Sequence, residues 1–188
     1  MIVIAPYSPQ WPLEFTRLAA PLAAALGELA VRIDHIGSTA VPGLAAKDVI
    51  DIQVSVRALE PAVEAALAGL GYERRPGIAG DHRPPQAVGP DSVWEKWIFR
   101  PPASQRRTNL HVRVAGRPNQ RYPLLFRDYL RANPAAAEAY GLIKQQLARH
   151  HPDDMEAYYD IKDPVCDLIW IAARAWAAAS GWSGADAG

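Results

Sequence analysis

The stretch HIGSTAVPGLAAKDVIDIQV, residues 35–54, decides how the rest of the chain is read. Its second half continues to Val56 as VIDIQVSV, a segment rich in β-branched residues that alternates with period two. That pattern predicts a strand with Asp51, Gln53 and Ser55 on one face and apolar side chains alone on the other. An aspartate among apolar neighbours is costly to bury without a partner. The first half closes an alternating segment, Val31 to Gly37 (VRIDHIG), read as another strand, and then passes through the small-residue loop STAVPGLAAK. Gly37 lets the backbone approach a ligand closely, Ser38 adds a hydroxyl and an amide, and a helix starting there would aim further amides at an anion. About a dozen residues later Asp51 arrives on an adjacent strand, where a carboxylate can hold a divalent metal, magnesium or manganese, over phosphates. The same residues also fit an ordinary Gly-Ser turn and a capped structural acid, and so short a pattern does not choose between the two.

Outward from this stretch, the spacing predicts a helix over Glu14–Leu29, with Phe15, Leu18, Leu22 and Leu26 on one face and Gly27 near its end. A second helix is expected over Leu59–Tyr72, stopped by Gly69 and Gly71. The segment from Arg74 to Asp91 is rich in Pro, Gly, Arg and His, has no period, and reads as a long loop or flap. Val93–Arg100 (VWEKWIFR) and Thr108–Val114 (TNLHVRV) read as antiparallel strands joined by PPASQRR. From Gln120 onward three helical segments follow, with Pro134, Pro152 and Pro164 marking starts or bends, and the end SGWSGADAG is expected to fray. Strands first and helices after predict an α+β fold: one domain over residues 1–188, with a sheet core at 1–116 and a helical part at 117–180.

Composition bounds the function. Twenty Lys and Arg against twenty Asp and Glu give zero formal charge, so no global field recruits nucleic acid or a membrane surface. Any polyanion must meet a local cluster. The one cysteine, Cys166, cannot form a disulfide or a zinc site alone, and its apolar run makes it core filler. The N-terminal apolar run lacks a basic flank and is broken by Pro6, which predicts a soluble cytoplasmic protein with no membrane partner.

HIGSTAVPGLAAKDVIDIQV, followed by VWEKWIFR, NLHVRV, FRDYLRANP and AYGLIKQQLA in that order, resembles the GrpB family, also designated UPF0157, over about Pro9 to about Trp176. The resemblance implies a nucleotidyltransferase-like mixed sheet flanked by helices, with a helical C-terminal segment. Similar domains also occur fused to dephospho-CoA kinase, which implies a link to nucleotide or coenzyme A metabolism. The wider superfamily places Gly-Ser on one strand, an acid-x-acid pair on the next, and often a third acid on a later strand. Gly37, Ser38 and Asp51 match that order. Gln53 stands at the second acid position, and none of Asn109, His111 and Arg113, which share a face of the later strand, is acidic. One carboxylate with an amide and an imidazole is a poorer magnesium site than two or three carboxylates.

The remaining candidates divide between functional and structural readings. His35 and His111 are either metal ligands or phosphate donors, or hydrogen-bonded structural residues. Lys47 either closes on a phosphate or is a solvated loop lysine. Lys96 and Arg100 share one strand face and either join Asp51 in a pocket or face water. Arg127, Arg131 and Lys144 lie on amphipathic helices where basic residues usually meet water, and Tyr158, Tyr159, Trp170 and Trp176 read as core aromatics. Two functions follow. In the first, a transferase-like enzyme acts on a nucleotide or phosphorylated cofactor: Ser38 and nearby amides hold phosphate, Asp51 holds a metal or acts as base, and His111 and Lys96 contact the reacting group. In the second, a non-catalytic nucleotide- or coenzyme-binding module keeps the pocket with a degenerate metal site, which Gln53 favours. A structural accessory that uses the C-terminal helices is a third reading, opposed by the polar face of VIDIQV.

Overall fold

The apolar alternation of the central strand fixes the architecture. The computed structural model describes residues 1–184. Five strands, β1 (Ala30–Ile36), β2 (Ile50–Val56), β3 (Glu73–Arg74), β4 (Trp97–Arg100) and β5 (Thr108–Val114), form one mixed sheet in the order β1-β2-β5-β4-β3. The β2 and β5 strands run parallel, and the other neighbours are antiparallel. Five helices surround it: α1 (Gln10–Leu26), α2 (Pro61–Gly69), α3 (Pro118–Ala132), α4 (Pro134–His150) and α5 (Met155–Ser180). This is a mixed α+β fold. No helix among the described residues is long and apolar enough to cross a membrane.

On one face, Ile50, Ile52, Val54 and Val56 of β2 join Leu110 and Val112 of β5 and Phe99 of β4 against Leu18, Leu22 and Leu26 of α1 and Val63 and Leu67 of α2. Each such side chain contributes roughly 1.5–3 kcal/mol when fully buried, so a one-residue slip in β2 would exchange this gain for buried acid and amide. The opposite face carries Asp51, Gln53 and Ser55 beside their cross-strand partners Asn109, His111 and Arg113. Helices α3 to α5 lie over it, burying Gln53, Ser55 and Arg113 while Asp51, Asn109 and His111 stay partly exposed.

Several boundaries differ from the pattern-based reading. Helix α1 starts four residues before Glu14 because Trp11 is buried and anchors its first turn. Gly71, in the left-handed region with φ 80°, follows the end of α2, where a C-terminal cap belongs. Asp91–Trp94 forms a 3-10 turn, so the predicted strand at Val93 begins only at Trp97. Pro134 opens α4, whereas Pro164 lies inside α5, whose N-cap is Asp154, accepting from the Ala157 amide at 2.9 Å. Of the end expected to fray, residues 185–188 lie outside the described residues. The part before them is held: Trp182 Nε1 donates to Asp128 Oδ2 at 3.0 Å and Arg32 Nη1 donates to the Gly184 carbonyl at 2.8 Å.

Candidate functional site

The site is built where β1, β2 and β5 end together. Their register makes Asp51 a neighbour of Ile36 on one side and of Asn109 on the other. Asn109 Nδ2 donates to Asp51 Oδ1 at 2.7 Å. Burial pushes the Asp51 carboxyl up to about 6, against the opposing pull of Asn109 and of the Arg113, Lys162 and Lys96 charges. Gly37 follows β1 with φ 73°, and a Cβ built there would stand 2.9 Å from Asp51 Cγ. The close approach anticipated at this glycine is therefore taken by the aspartate itself.

A cavity of about 640 Å³ opens above this floor. Gly37, Ser38, Lys47, Asp51, Lys96, Asn109 and His111 all line it. Its walls also carry Arg75, Arg107, Lys144 and Lys162, so six cationic side chains face one carboxylate. They are graded by depth: Lys144 is buried at 3 % exposure, Lys47, Lys96 and Lys162 are half-buried, and Arg75 and Arg107 are exposed at the rim. Lys96 is paired with Asp81 at 2.6 Å and Lys162 with Asp163 at 2.7 Å. Among the described residues, Lys47, Arg75, Arg107 and Lys144 have no carboxylate within ion-pair distance. Lys144 Nζ instead donates to Ser38 Oγ at 2.8 Å and to the Ala45 carbonyl at 2.6 Å. Burial lowers its ammonium to about 7. Lys47 sits over the Tyr158 ring, 4.0 Å from its centroid, and burial lowers it as well. Tyr122, Phe126, Tyr140, Tyr158 and Tyr159 supply an aromatic wall.

His111 meets the cavity as a neutral ring. Burial, with the Arg113 and Lys96 charges, lowers its pKa well below the usual value. Arg113 Nη2 approaches its Nδ1 at 3.4 Å, and since a guanidinium only donates, the lone pair is on Nδ1 and the hydrogen on Nε2. Behind it, Asp81 from the segment read as a flap accepts from Lys96, from Arg113 Nε at 2.7 Å and Nη2 at 2.8 Å, and from Asn119 Nδ2 at 3.2 Å. Burial raises the Asp81 carboxyl, but the Arg113 and Lys96 contacts overcome it and hold the group well below the usual carboxylate range.

Two expected site residues, Gln53 and Arg100, lie elsewhere, and His35 takes the structural one of its two readings. Gln53 is fully buried: its Oε1 accepts from Arg113 Nη1 at 2.8 Å and its Nε2 donates to the Gln120 carbonyl at 3.0 Å, so it does not line the cavity. Arg100 is at the sheet edge, exposed and paired with Glu73 of β3. His35 faces the other side, stacked on Phe15 of α1 with centroids 4.9 Å apart and hydrogen-bonded to Thr39 Oγ1. Conversely, Tyr158 and Cys166 are cavity lining as well as core, and Lys144 is not on a solvated helix face. The donors do not fit a magnesium or manganese ion. Asp51 is the one lining carboxylate, one of its oxygens is engaged by Asn109, and Gln53 has no free amide oxygen. No group of three or more His, Cys, Asp or Glu is arranged to hold a metal among the described residues.

The desolvation of Asp51 has a measurable cost. Its folded pKa is raised, so the wild-type protein loses relative stability as pH rises from about 4 through 6. Asp51→Asn, which can still accept from Asn109, is expected to stabilise the protein by about 1–2 kcal/mol at pH 8 and by nothing below pH ~3.5. Urea melts at the two pH values check this. Equal stability at pH 8 would show that the carboxylate is not desolvated.

Comparison with known proteins gives the lineage. The family described as "GrpB protein" matches residues 1–170. A dephospho-CoA kinase of Mycobacterium tuberculosis (strain H37Rv) is 40% identical over 95% of this chain and 47% of its own length. The chain thus spans about half the length of the dephospho-CoA kinases it matches. A UPF0157 protein of Pseudomonas aeruginosa is 37% identical over 94% of this chain and 69% of its own. Among solved structures, the conserved protein GrpB from Enterococcus faecalis superimposes with a TM-score of 0.74 at 32% identity, covering 93% of this chain and 99% of that one. With the family matched over most of its length and the same fold in a GrpB structure, the chain belongs to the GrpB (UPF0157) family.

Proposed function

We propose that the cavity binds a nucleotide or another phosphorylated cofactor, with Ser38, Lys47 and Lys144 on the phosphates and the tyrosine wall against the rest of the molecule. The observation that carries this reading is the set of cations without carboxylate partners around one recessed space. Buried charge is normally paired, and Lys144, whose ammonium has a hydroxyl, a carbonyl and the Tyr140 ring 4.6 Å away but no carboxylate among the described residues, is suited to receive an anion. The cavity volume of about 640 Å³ lies within the ordinary range for small-molecule sites. The name of the dephospho-CoA kinase relatives is consistent with a phosphorylated small molecule, although it describes proteins about twice as long. A nucleotidyltransferase-like ancestry is supported by the order of Gly37, Ser38 and Asp51, with Gln53 as the departure.

A second reading, phosphoryl or nucleotidyl transfer, is favoured by Asp51. A carboxylate titrating near 6 beside a cationic cavity is suited to take the proton of a hydroxyl as its oxygen attacks phosphorus and the opposite P–O anhydride bond breaks. The electron pair of that bond would leave on a phosphate or pyrophosphate that the lysines would stabilise. His111, with its hydrogen on Nε2, would donate to the ligand.

Binding is the first test. Titration calorimetry with ATP, coenzyme A and dephospho-CoA is expected to give binding, and Lys144→Met to weaken it by about tenfold or more without loss of stability. Affinity should also fall as pH rises above about 7, where Lys144 gives up its proton; the Lys144→Met variant should lack this fall. Absence of binding by all three ligands would overturn the reading.

A further inference from the structure

The charge in the cavity also bears on the form in which a ligand enters, given the phosphate-binding reading above. A magnesium oligophosphate needs oxygen ligands on the side of the ion away from the phosphates, ordinarily one or two carboxylates. Here the nearby acids offer little. Asp51 Oδ1 accepts from Asn109, which leaves Oδ2, close against Gly37, as the one unengaged carboxylate oxygen of the cavity lining among the described residues. Asp81 is enclosed by Lys96, Arg113 and Asn119. Gln53, at the next position on the same strand face, is locked between Arg113 and Gln120. His111 keeps its free lone pair toward Arg113. A divalent cation would have to be held largely by Asp51 in a cavity whose lining includes four cationic side chains, Lys47, Arg75, Arg107 and Lys144, without a carboxylate partner among the described residues. A doubly charged ion meets twice the repulsion that a single charge would meet there.

We infer that the cavity takes its oligophosphate as the metal-free anion, with Lys47, Lys144, Lys162 and the rim arginines in the place that magnesium fills elsewhere. Free triphosphate has a greater negative charge than its magnesium complex, so the metal competes with the protein for the ligand. Asp51 then opposes the ligand electrostatically and does not bridge to it.

Calorimetric titration of ATP and of inorganic triphosphate decides this, in EDTA and in millimolar magnesium at ionic strength matched with potassium chloride. The expected result is binding in EDTA that weakens about tenfold or more with magnesium, and tighter binding in EDTA by Asp51→Asn. Binding by ATP and not by triphosphate, with the same magnesium penalty, would also support the inference and add a base contact. Binding that is unchanged or strengthened by magnesium, or lost in EDTA by Asp51→Asn, would overturn it while leaving the phosphate site standing. No binding of either compound under either condition would remove the phosphate site itself, and the inference with it.

Discussion

Asp81→Ala is expected to lower stability by about 3–5 kcal/mol, since removing one partner of a buried ion cluster leaves the others charged and unpaired. Asp81 holds Lys96 and Arg113 together and accepts from Asn119. It comes from a segment with few regular backbone hydrogen bonds, held by the Gly80–Glu95 bridge, by Arg75 N on the Ile98 carbonyl and by His82 against Asp167 of α5 at 2.9 Å. Without it, two cations stay beside a cavity already crowded with positive charge, and the segment loses its buried side-chain anchor on Arg113 and Lys96. At the size of this chain the midpoint should drop by roughly 10 °C. Because the folded pKa of Asp81 is depressed, its contribution is present above the ordinary carboxylate pKa near 4 and is lost only as pH falls well below that value. Urea denaturation at pH 7 measures the effect, and a loss under ~1 kcal/mol would mean that the cluster is no stronger than a surface pair.

Gly37→Ala should cost about 3 kcal/mol or more, from two independent sources. Gly37 has φ 73° and ψ −172°, a region essentially restricted to glycine and worth ~1–3 kcal/mol to any other residue. Its added Cβ would also lie 2.9 Å from Cγ and 3.0 Å from Cβ of Asp51. Asp51 cannot retreat, because β2 is paired on both sides. A double-mutant cycle with Asp51→Gly separates the two terms: the clash disappears and the backbone strain stays, so the coupling should exceed ~1 kcal/mol. Independent, additive effects would mean that the two residues do not touch in solution.

Both residues illustrate what was legible in the sequence. Gly37 stood out from its motif, and the strand that carries Asp51 was plain from β-branched alternation. Period two also put Asn109, His111 and Arg113 on one face. It could not say that β5 would lie next to β2 with Arg113 on Gln53, or that α3 would cover part of the shared face and engage Gln53 and Ser55 through Gln120. Asp81 sat in a stretch without period, where nothing local marks one acid above another. Lys144 was hidden for the opposite reason. Its helix presents a polar side, and polar sides usually face water; here that side meets a polar sheet face, so the usual inference has the wrong sign. Arg100 shared a strand face with Lys96, but β4 runs past the cavity to the edge, where Glu73 waits.

The parallel pairing of β2 with β5 also sets an order of assembly. The β1 and β2 strands are sequence neighbours and can pair early. Asn109 is 58 positions beyond Asp51, and contacts at such separation form late because the intervening loop must close first. Until then Asp51 lies in water and titrates as any aspartate does. Its proton affinity changes only when β5 docks and the C-terminal helices cover the sheet. The raised pKa of this one carboxyl therefore belongs to the assembled sheet alone: a chain in which β5 has not yet docked has the aspartate without its chemistry.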